Sequence, residues 1–362
     1  MNHSARRPRR ALVCSLTVAL VAVFALVHGA AGAGPDRPRV IGVHLVSRAG
    51  EGDVADDRPK RALAREPVAL HAVLAVRDGG RMVYFTDAGP TIVLAGKRHP
   101  ARPLAGAPRA SFRWLKVEPR VETLSNTESG RFRFEAIAYG ETTVAAWRDK
   151  PTVAADVHPT LTTDRGDGVG TMRFKLVAVT ADGTFATAGA EARRGRGSGG
   201  LSDAVLRVSL RRDDSYLGFL TELYGQPYIW ASAGTSNATH QSERLEGADC
   251  ADFVIYGRRR MGENRAYTWT GALPQVTRLL SRGRPGPDGV YVDERGAPLP
   301  FPRPGDLLLF PRHVGALVAD RGRPGVLDRA DIMVHAYFAS PREQAVGETD
   351  YRDEPVEVRR WR

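Results

Sequence analysis

GADCADFVIY, at residues 247–256, is the stretch that decides how this chain folds. Its first two residues predict a loop, Asp249 is a favourable helix N-cap, and Asp252 stands at the third position of the apolar run that follows. The pattern therefore predicts a helix whose first turn carries Cys250. Backbone N–H groups and the helix dipole favour a thiolate there, so we expect a lowered pKa and a nucleophilic thiol. The alternative interpretation is a small buried cysteine that only packs.

The N-terminal residues have the pattern of an export signal. Residues 1–10 carry four arginines and no acid, residues 11–27 are apolar without a charge, and Ala-Gly-Ala at residues 31–33 fits a cleavage site. The pattern predicts a signal peptide over residues 1–33 and an exported protein that is periplasmic, cell-wall-associated or secreted. An uncleaved membrane anchor is the alternative, because the apolar run is at the lower limit for spanning a bilayer. Both the general and the twin-arginine export routes stay open.

The cysteine count supports a chemical role for Cys250. The chain has two cysteines, and the other one, Cys14, lies within the predicted leader. The mature protein would thus carry one unpaired thiol. Because exported proteins usually pair their cysteines or lack them, a single thiol favours a reactive function.

The charge balance indicates the class of partner. The formal net charge is +11, and it is +7 once the four arginines of the leader are subtracted. Basic exported proteins tend to meet anionic polymers, so we expect peptidoglycan or another anionic cell-wall polymer as partner. The positive charges are scattered in short runs without interleaved aromatics, which favours solvated faces and gives no nucleic-acid motif.

Residues 34–182 have the pattern of a β-rich domain. Short apolar strands are separated by turns about every ten residues, and Asp78-Gly79-Gly80 predicts a hairpin. The pattern predicts an all-β, immunoglobulin-like sandwich with no catalytic constellation, expected to bind the wall or a protein partner. The strands on which this prediction rests include residues 39–46, 68–76, 91–94, 171–179, and one with half-buried Phe132, Phe134 and Ala136.

The rest of the chain predicts an α+β domain. Residues 183–211 are a Gly- and Arg-rich linker followed by a joining strand, and residues 212–362 form the second domain, which opens with a helix at residues 215–224. His313 begins one predicted strand, and His335 lies within another. A helix that bears a nucleophile and packs on a small antiparallel sheet with two histidines is a workable arrangement for a thiol hydrolase.

Five segments in order make this second domain similar to the NlpC/P60 family of cell-wall cysteine peptidases, whose fold is papain-like. The resemblance covers about residues 215–337. The segments are GQPYIW (225–230), DCADFV (249–254), PGDL (304–307), HVG (313–315) and VHA (334–336).

The resemblance implies an assignment of roles. Cys250 would be the nucleophile, His313 the base, His335 the residue that orients the base, and Tyr228 part of the oxyanion site. The implied activity is a peptidoglycan endopeptidase that cleaves amide bonds in stem peptides, with no cofactor and no metal ion. The histidine would take the thiol proton and later return it to the leaving amine.

Some features depart from the family pattern and leave other functions open. Ala251-Asp252 replaces the usual Ser-Gly, and the insert at residues 262–302 is long. The alternatives are an inactive wall- or surface-binding protein and a lipid-directed acyl transferase or thioesterase on the same fold. A zinc site would need Cys250, His313 and His335, but the close paired ligands typical of zinc are missing. His240 could compete as the base, although its polar surroundings predict an exposed loop residue.

Overall fold

The computed structural model describes residues 37–195 and 198–362. The predicted signal peptide lies outside the described residues. Within them the protein has an α+β fold in which strands dominate. No helix among the described residues is long and apolar enough to span a membrane.

The part of the chain before the first α-helix is built from strands. They are β1 (Arg39–Ala49), β2 (Lys60–Leu63), β3 (Val68–Asp78), β4 (Arg81–Phe85), β5 (Thr91–Leu94), β6 (Lys97–Arg102), β7 (Ala110–Pro119), β8 (Thr123–Ser125), β9 (Thr127–Glu128), β10 (Arg131–Phe132), β11 (Tyr139–Thr143), β12 (Thr152–Ala154), β13 (Gly170–Thr180), β14 (Gly183–Ala186) and β15 (Leu206–Arg211).

The first α-helix of the described residues begins after residue 215. The elements are α1 (Tyr216–Leu220), β16 (Tyr228–Trp230), α2 (Cys250–Arg260), α3 (Leu273–Val276), β17 (Thr277–Pro285), β18 (Tyr291–Val292), β19 (Leu307–Phe310), β20 (His313–Ala319), β21 (Ile332–His335), β22 (Arg342–Ala345) and β23 (Val356–Trp361). Short 3-10 segments lie at Leu104–Gly106, Ala145–Trp147, Thr221–Leu223, Asn237–Thr239, Thr270–Ala272 and Val346–Glu348.

The region before the first α-helix is all-β, as the sequence predicted, and most of its strands lie in two sheets. One has the order β1-β3-β4-β6-β5 with β12 beside β3, and the other has the order β11-β7-β13-β15-β2 with β14 beside β13. Their facing side chains make one apolar core around the fully buried Leu74, Trp114 and Phe174. Burying each of these side chains contributes about 1.5–3 kcal/mol. The pairs β4–β6 and β2–β15 are parallel, while the other pairs within these two sheets are antiparallel.

The predicted half-buried strand with Phe132, Phe134 and Ala136 is wrong. Strand β10 ends at Phe132, whose ring is half-exposed and meets Phe134 edge to face at 5.1 Å. Beyond β10 the backbone is tied to Asn126, whose Oδ1 accepts the N–H of Glu135 at 3.1 Å and whose carbonyl accepts the N–H of Arg133 at 2.7 Å. These bonds, rather than a strand ladder, satisfy the two N–H groups.

The second region is organised by a seven-stranded sheet of order β18-β17-β23-β19-β20-β21-β22. Strands β19 and β20 form a tight antiparallel pair in which Phe310 faces His313. Strand β21 pairs with the other edge of β20, with Val334 opposite Ala316. This order places the two sequence-predicted histidines on neighbouring strands.

Helix α2 lies on this sheet and also packs against α1. Its buried side chains, including Phe253 and Val254, share one apolar cluster with Val314 of β20. The predicted helix at residues 215–224 is present as α1 followed by a 3-10 turn, and the Ser215 hydroxyl caps it by accepting the N–H of Gly218 at 3.1 Å.

The two regions are joined by a strand pair as well as by the chain. Strand β8 of the β-rich region pairs in parallel with β16, with Thr123 opposite Tyr228. Residues 183–211, predicted as linker and joining strand, supply β14 and β15, which both pair with β13. Arg37–Arg362 form one compact unit.

Candidate active site

Helix α2 begins at Cys250, as the sequence predicted. The Asp249 side chain is the N-cap, and its Oδ1 accepts the backbone N–H of Asp252 at 2.9 Å. Gly247 has a φ of 147°, and a Cβ there would lie 2.4 Å from the carbonyl oxygen of Pro227. Only glycine permits this close approach, which brings the helix start against the strand that carries Tyr228.

Tyr228 lies beside the helix start. Strand β16 bridges to Ala248, with the Ile229 N–H donating to the Ala248 carbonyl at 3.1 Å. The Tyr228 ring is 1% exposed and shares an apolar cluster with Cys250. The fold thus brings the predicted oxyanion residue and the predicted nucleophile together.

The two histidines form a buried pair. His313 Nε2 lies 2.6 Å from His335 Nδ1, and both side chains are fully buried. The remaining nitrogens, His313 Nδ1 and His335 Nε2, have no hydrogen-bond partner among the described residues. Val314, which follows His313 directly, shares the apolar cluster of Cys250. His313 is therefore held through one nitrogen, and the other remains to accept a proton.

Aromatic rings enclose this pair, and sequence reasoning missed them. Tyr351 stacks on the His313 ring with centroids 4.6 Å apart and an interplanar angle of 11°. Tyr337 meets the same ring at 5.0 Å, and Phe338 packs at 5.3 Å from the Tyr228 ring. Tyr351 lies in a polar turn, and the sequence around it has no helix or strand periodicity that would have indicated a site residue.

The environment of Cys250 contradicts the expected low pKa. Burial raises the pKa of the thiol, and the neighbouring Asp249 carboxyl raises it further, whereas backbone N–H groups of Val314 and Ala251 oppose both. The thiol is 4% exposed. Desolvation disfavours the thiolate more than the helix start favours it. The resting thiol is therefore protonated, and its reaction requires proton transfer to a base.

Both histidines are held neutral. The pKa of His313 is lowered well below its ordinary value, mainly by burial and to a smaller extent by His335 and Arg342. Burial also lowers the pKa of His335 to about 4, opposed by the side chain of Gln344. A neutral imidazole is the form that accepts a proton from a thiol, so His313 is in the correct state for a general base near neutral pH.

A second polar cluster lies on the other side of the helix start. Ser232 Oγ donates to Asp252 Oδ2 at 2.5 Å and accepts the N–H of Asp249 at 3.0 Å. His240 Nε2 lies 3.4 Å from the same Asp252 oxygen, and its ring stacks on Tyr267 at 3.7 Å. The expectation that His240 is an exposed loop residue is wrong, because its stacking and its approach to Asp252 bury it.

This cluster borders a cavity of about 440 Å³. Asp249 and Asp252 line it, together with the half-exposed Phe132 and the exposed Trp269. Burial raises the pKa of Asp249 to about 6 and raises that of Asp252 well above its ordinary value, with Asp249 as the second cause. The cavity therefore combines two desolvated carboxyls with aromatic walls.

In residues 37–195 and 198–362, no three His, Cys, Asp or Glu side chains are arranged to hold a metal ion. Cys250, His313 and His335 do not make such a group. The short contact is the one between the two imidazoles, and Cys250 shares an apolar cluster with Val314, the neighbour of His313 in the chain.

No protein family model, curated protein or solved structure matches this chain.

Proposed function

We propose that this protein is a cysteine hydrolase that cleaves an amide bond, with Cys250 as nucleophile and His313 as general base. The observation that carries the proposal is the 2.6 Å contact between His313 and His335, buried on strands next to the helix that begins at Cys250. An imidazole held at one nitrogen, next in the chain to a backbone N–H that reaches a thiol at a helix start, fits the arrangement that nucleophilic catalysis requires.

The chemistry assigns one task to each group. His313 Nδ1 takes the Cys250 proton, the sulfur attacks the carbonyl carbon, and the same proton then passes to the leaving amine. His335 fixes the tautomer and the ring orientation of His313. The backbone N–H of Cys250 and the Tyr228 hydroxyl would stabilise the oxyanion.

The arrangement of the second region supports a papain-like fold of the NlpC/P60 type. Helix α2 carries the nucleophile at its first residue and packs on an antiparallel sheet that carries the base at the start of β20. The proposal extends this likeness to the residues about 215–337, where the sequence segments resemble the family. The immunoglobulin-like character of the β-rich region is part of the same proposal.

The proposed substrate is a peptide stem of peptidoglycan. The basic net charge and the family resemblance support a wall polymer. The cavity lined by Asp249 and Asp252 supports a peptide with a free amino group, because its described lining includes no lysine or arginine. An ammonium group there would be paired with a carboxylate and would meet aromatic faces.

The experiment is digestion of purified cell wall with mass analysis of the released fragments. Wild-type protein is expected to release peptides cut at one type of amide bond, and Cys250→Ala is expected to release none. If both proteins release nothing from walls of several compositions, the peptidoglycan assignment is wrong. Release by Cys250→Ala at the wild-type rate would contradict the nucleophile.

A second candidate is an inactive wall- or surface-binding protein. The burial of the Cys250 and His313 side chains favours it, because substrate cannot reach them without movement of the surrounding side chains. A small electrophilic thiol probe separates the two candidates. Rapid labelling that His313→Ala abolishes supports a hydrolase, and a thiol that stays unlabelled in folded protein supports the binding function. Turnover of acyl thioesters in place of wall peptides would indicate the transferase or thioesterase alternative.

The proposal includes an exported location. It rests on the pattern of residues 1–33, which lie outside the described residues. N-terminal sequencing of the protein recovered outside the cytoplasm tests it, with a mature chain expected to begin near residue 34. A chain that still begins at Met1 and is retained in the membrane would indicate the anchor instead.

A further inference from the structure

Tyr351 has a specific contact with the candidate base. Its ring lies parallel to the His313 imidazole, with centroids 4.6 Å apart and an angle of 11°. The Tyr351 ring also contacts Tyr337 at 5.1 Å and Phe310 at 5.6 Å. It is therefore set into an aromatic enclosure around His313 rather than lying loosely on the surface.

The turn that carries Tyr351 is anchored on both sides. Thr349 Oγ1 donates to the Val346 carbonyl at 2.8 Å, and the Tyr291 hydroxyl donates to the Arg352 carbonyl at 3.1 Å. These bonds involve side chains of the buried Thr349 and Tyr291, so they resist fraying of the turn. The position of the Tyr351 ring is thus determined by the fold.

Proton transfer creates a charge that this environment opposes. When the Cys250 S–H bond breaks and an N–H bond forms at His313 Nδ1, the imidazole becomes a cation in a site with little water. The bond breaks to leave a thiolate on Cys250, which is the negative partner of this cation. His313 Nε2 stays in contact with His335 Nδ1, which contributes a hydrogen bond but no negative charge. A further group that favours the imidazolium would make the proton transfer faster.

We propose that Tyr351 is a positioning residue of this hydrolase, whose stacked ring fixes the plane of His313 and stabilises its protonated form. The proposal rests on the function proposed above. A cation within about 6 Å of an aromatic face is attracted by the ring electrons, and the 4.6 Å separation meets that condition. The Phe310 ring is also nearly parallel to His313, but its centroid lies 6.4 Å away, so the imidazolium would interact mainly with the face of Tyr351.

The other titratable and charged groups around His313 act differently. They are His335 on β21, Arg342 on β22 and Tyr337, while Cys250 and Arg312 act on the stacked Tyr351. Of these, His335 and Arg342 lower the pKa of His313. The Tyr351 ring would oppose them and the desolvation, so its removal is expected to lower that pKa further.

The test is the pH dependence of Cys250 alkylation by iodoacetamide, followed by mass spectrometry of the Cys250 peptide in the full chain. His313 must be neutral to accept the thiol proton, so the alkylation rate falls at low pH. The midpoint of this fall, called the acid limb below, reports the pKa of His313. In Tyr351→Leu we expect the limb to move to lower pH by about half a unit to one unit, and the plateau rate to fall about tenfold.

A loss of packing alone predicts the opposite shift. Water that enters beside His313 would hydrate the imidazolium and raise the pKa. An acid limb that stays in place or moves to higher pH in Tyr351→Leu therefore overturns the proposal. Tyr351→Phe keeps the aromatic face and is expected to keep the limb at the wild-type pH. Tyr84→Leu, in the β-rich region, controls for the loss of a tyrosine.

A second variant covers the case in which Tyr351→Leu does not fold. Pentafluorophenylalanine at position 351 keeps the ring shape but reverses the charge distribution of its face. This variant is expected to move the acid limb to lower pH, as Tyr351→Leu does. An acid limb that stays at the wild-type pH, as expected for Tyr351→Phe, would overturn the proposal. If the limb shifts as expected but wild-type protein cuts no amide substrate, only the proposed function fails.

Discussion

His313 Nε2 lies 2.6 Å from His335 Nδ1, and neither side chain reaches solvent. Both imidazoles have lowered pKa values, so the contact joins two neutral rings that share one proton. One nitrogen of each ring is left without a partner among the described residues. The pair therefore fixes the orientation of His313 while leaving it free to act as a base.

Replacement of His335 tests this relationship. In His335→Leu, His313 Nε2 is left buried without a partner, which costs about 1–3 kcal/mol of folding free energy. Hydrolysis is expected to fall roughly ten- to a hundredfold because the ring orientation is lost. His335→Asn restores a hydrogen-bonding group and should recover part of the rate. Urea unfolding and steady-state kinetics measure both effects, and equal rates for the Leu and Asn variants would contradict an orienting role.

Removal of the nucleophile or the base has different expected results. Cys250→Ala should abolish turnover, because no other group can form the acyl intermediate. His313→Ala should lower turnover about a hundredfold or more and slow alkylation of Cys250, since the protonated thiol then has no acceptor. Steady-state kinetics and timed alkylation check these results. Alkylation of folded wild-type protein at the rate of free cysteine, unaffected by His313→Ala, would disprove the coupling.

Asp249→Asn should make the thiol more acidic. Asn is also a good N-cap, so the bond to the Asp252 N–H is retained while the negative charge beside Cys250 is lost. Since Asp249 has a pKa of about 6 and its charge raises the pKa of the thiol, that pKa should fall by up to about one unit. Alkylation above pH 6 should therefore be faster. Asp214→Asn, at an exposed acid, makes the same charge change as a control, and an equal acceleration there would refute the local explanation.

Asn126→Ala should destabilise the junction between the two regions. The Asn126 amide donates to the Ala231 carbonyl at 3.0 Å and to Gln241 Oε1 at 2.7 Å, and it is fully buried. Its loss leaves the Ala231 carbonyl without this donor, while Gln241 Oε1 still accepts the Ala233 N–H at 3.1 Å, so we expect a cost of about 1–3 kcal/mol. Ala231 has a φ of 55°, and this strained turn follows directly on the strand of Tyr228. Thermal unfolding measures the cost, and an unchanged melting temperature would contradict the assignment.

His71 should make the β-rich region sensitive to acid. It is 3% exposed, Nδ1 pairs with Thr152 Oγ1 at 2.9 Å, and burial lowers its pKa from 6.5 to about 4. The unfolded chain then binds the proton more readily, so the stabilisation is present above pH 6.5 and is lost as the pH falls toward 4. The free energy of unfolding is expected to fall by up to about 3 kcal/mol over this pH range. His71→Asn keeps the bond to Thr152 without titrating, and its urea unfolding should depend less on pH over this range.

The sequence by itself determined the local features of this protein. The start of α2 depends on Asp249 and Asp252, three residues apart, and the hairpin after β3 depends on two adjacent glycines. Such structures depend on short-range hydrogen bonds and on backbone freedom, and the residue types that provide them are neighbours in the sequence. The same holds for the strands β1, β3, β5 and β13, whose apolar residues are close together in the chain.

The tertiary structure decided the properties that depend on burial. The burial that raises the pKa of Cys250, the burial of His240 and the ring of Tyr351 on His313 all depend on elements far apart in the chain. The alternation at Phe132 misled the prediction for the same reason, since the residues after it bond to the buried Asn126 and the Phe132 ring stays half-exposed. Desolvation and stacking depend on which elements meet, and no local pattern carries that information.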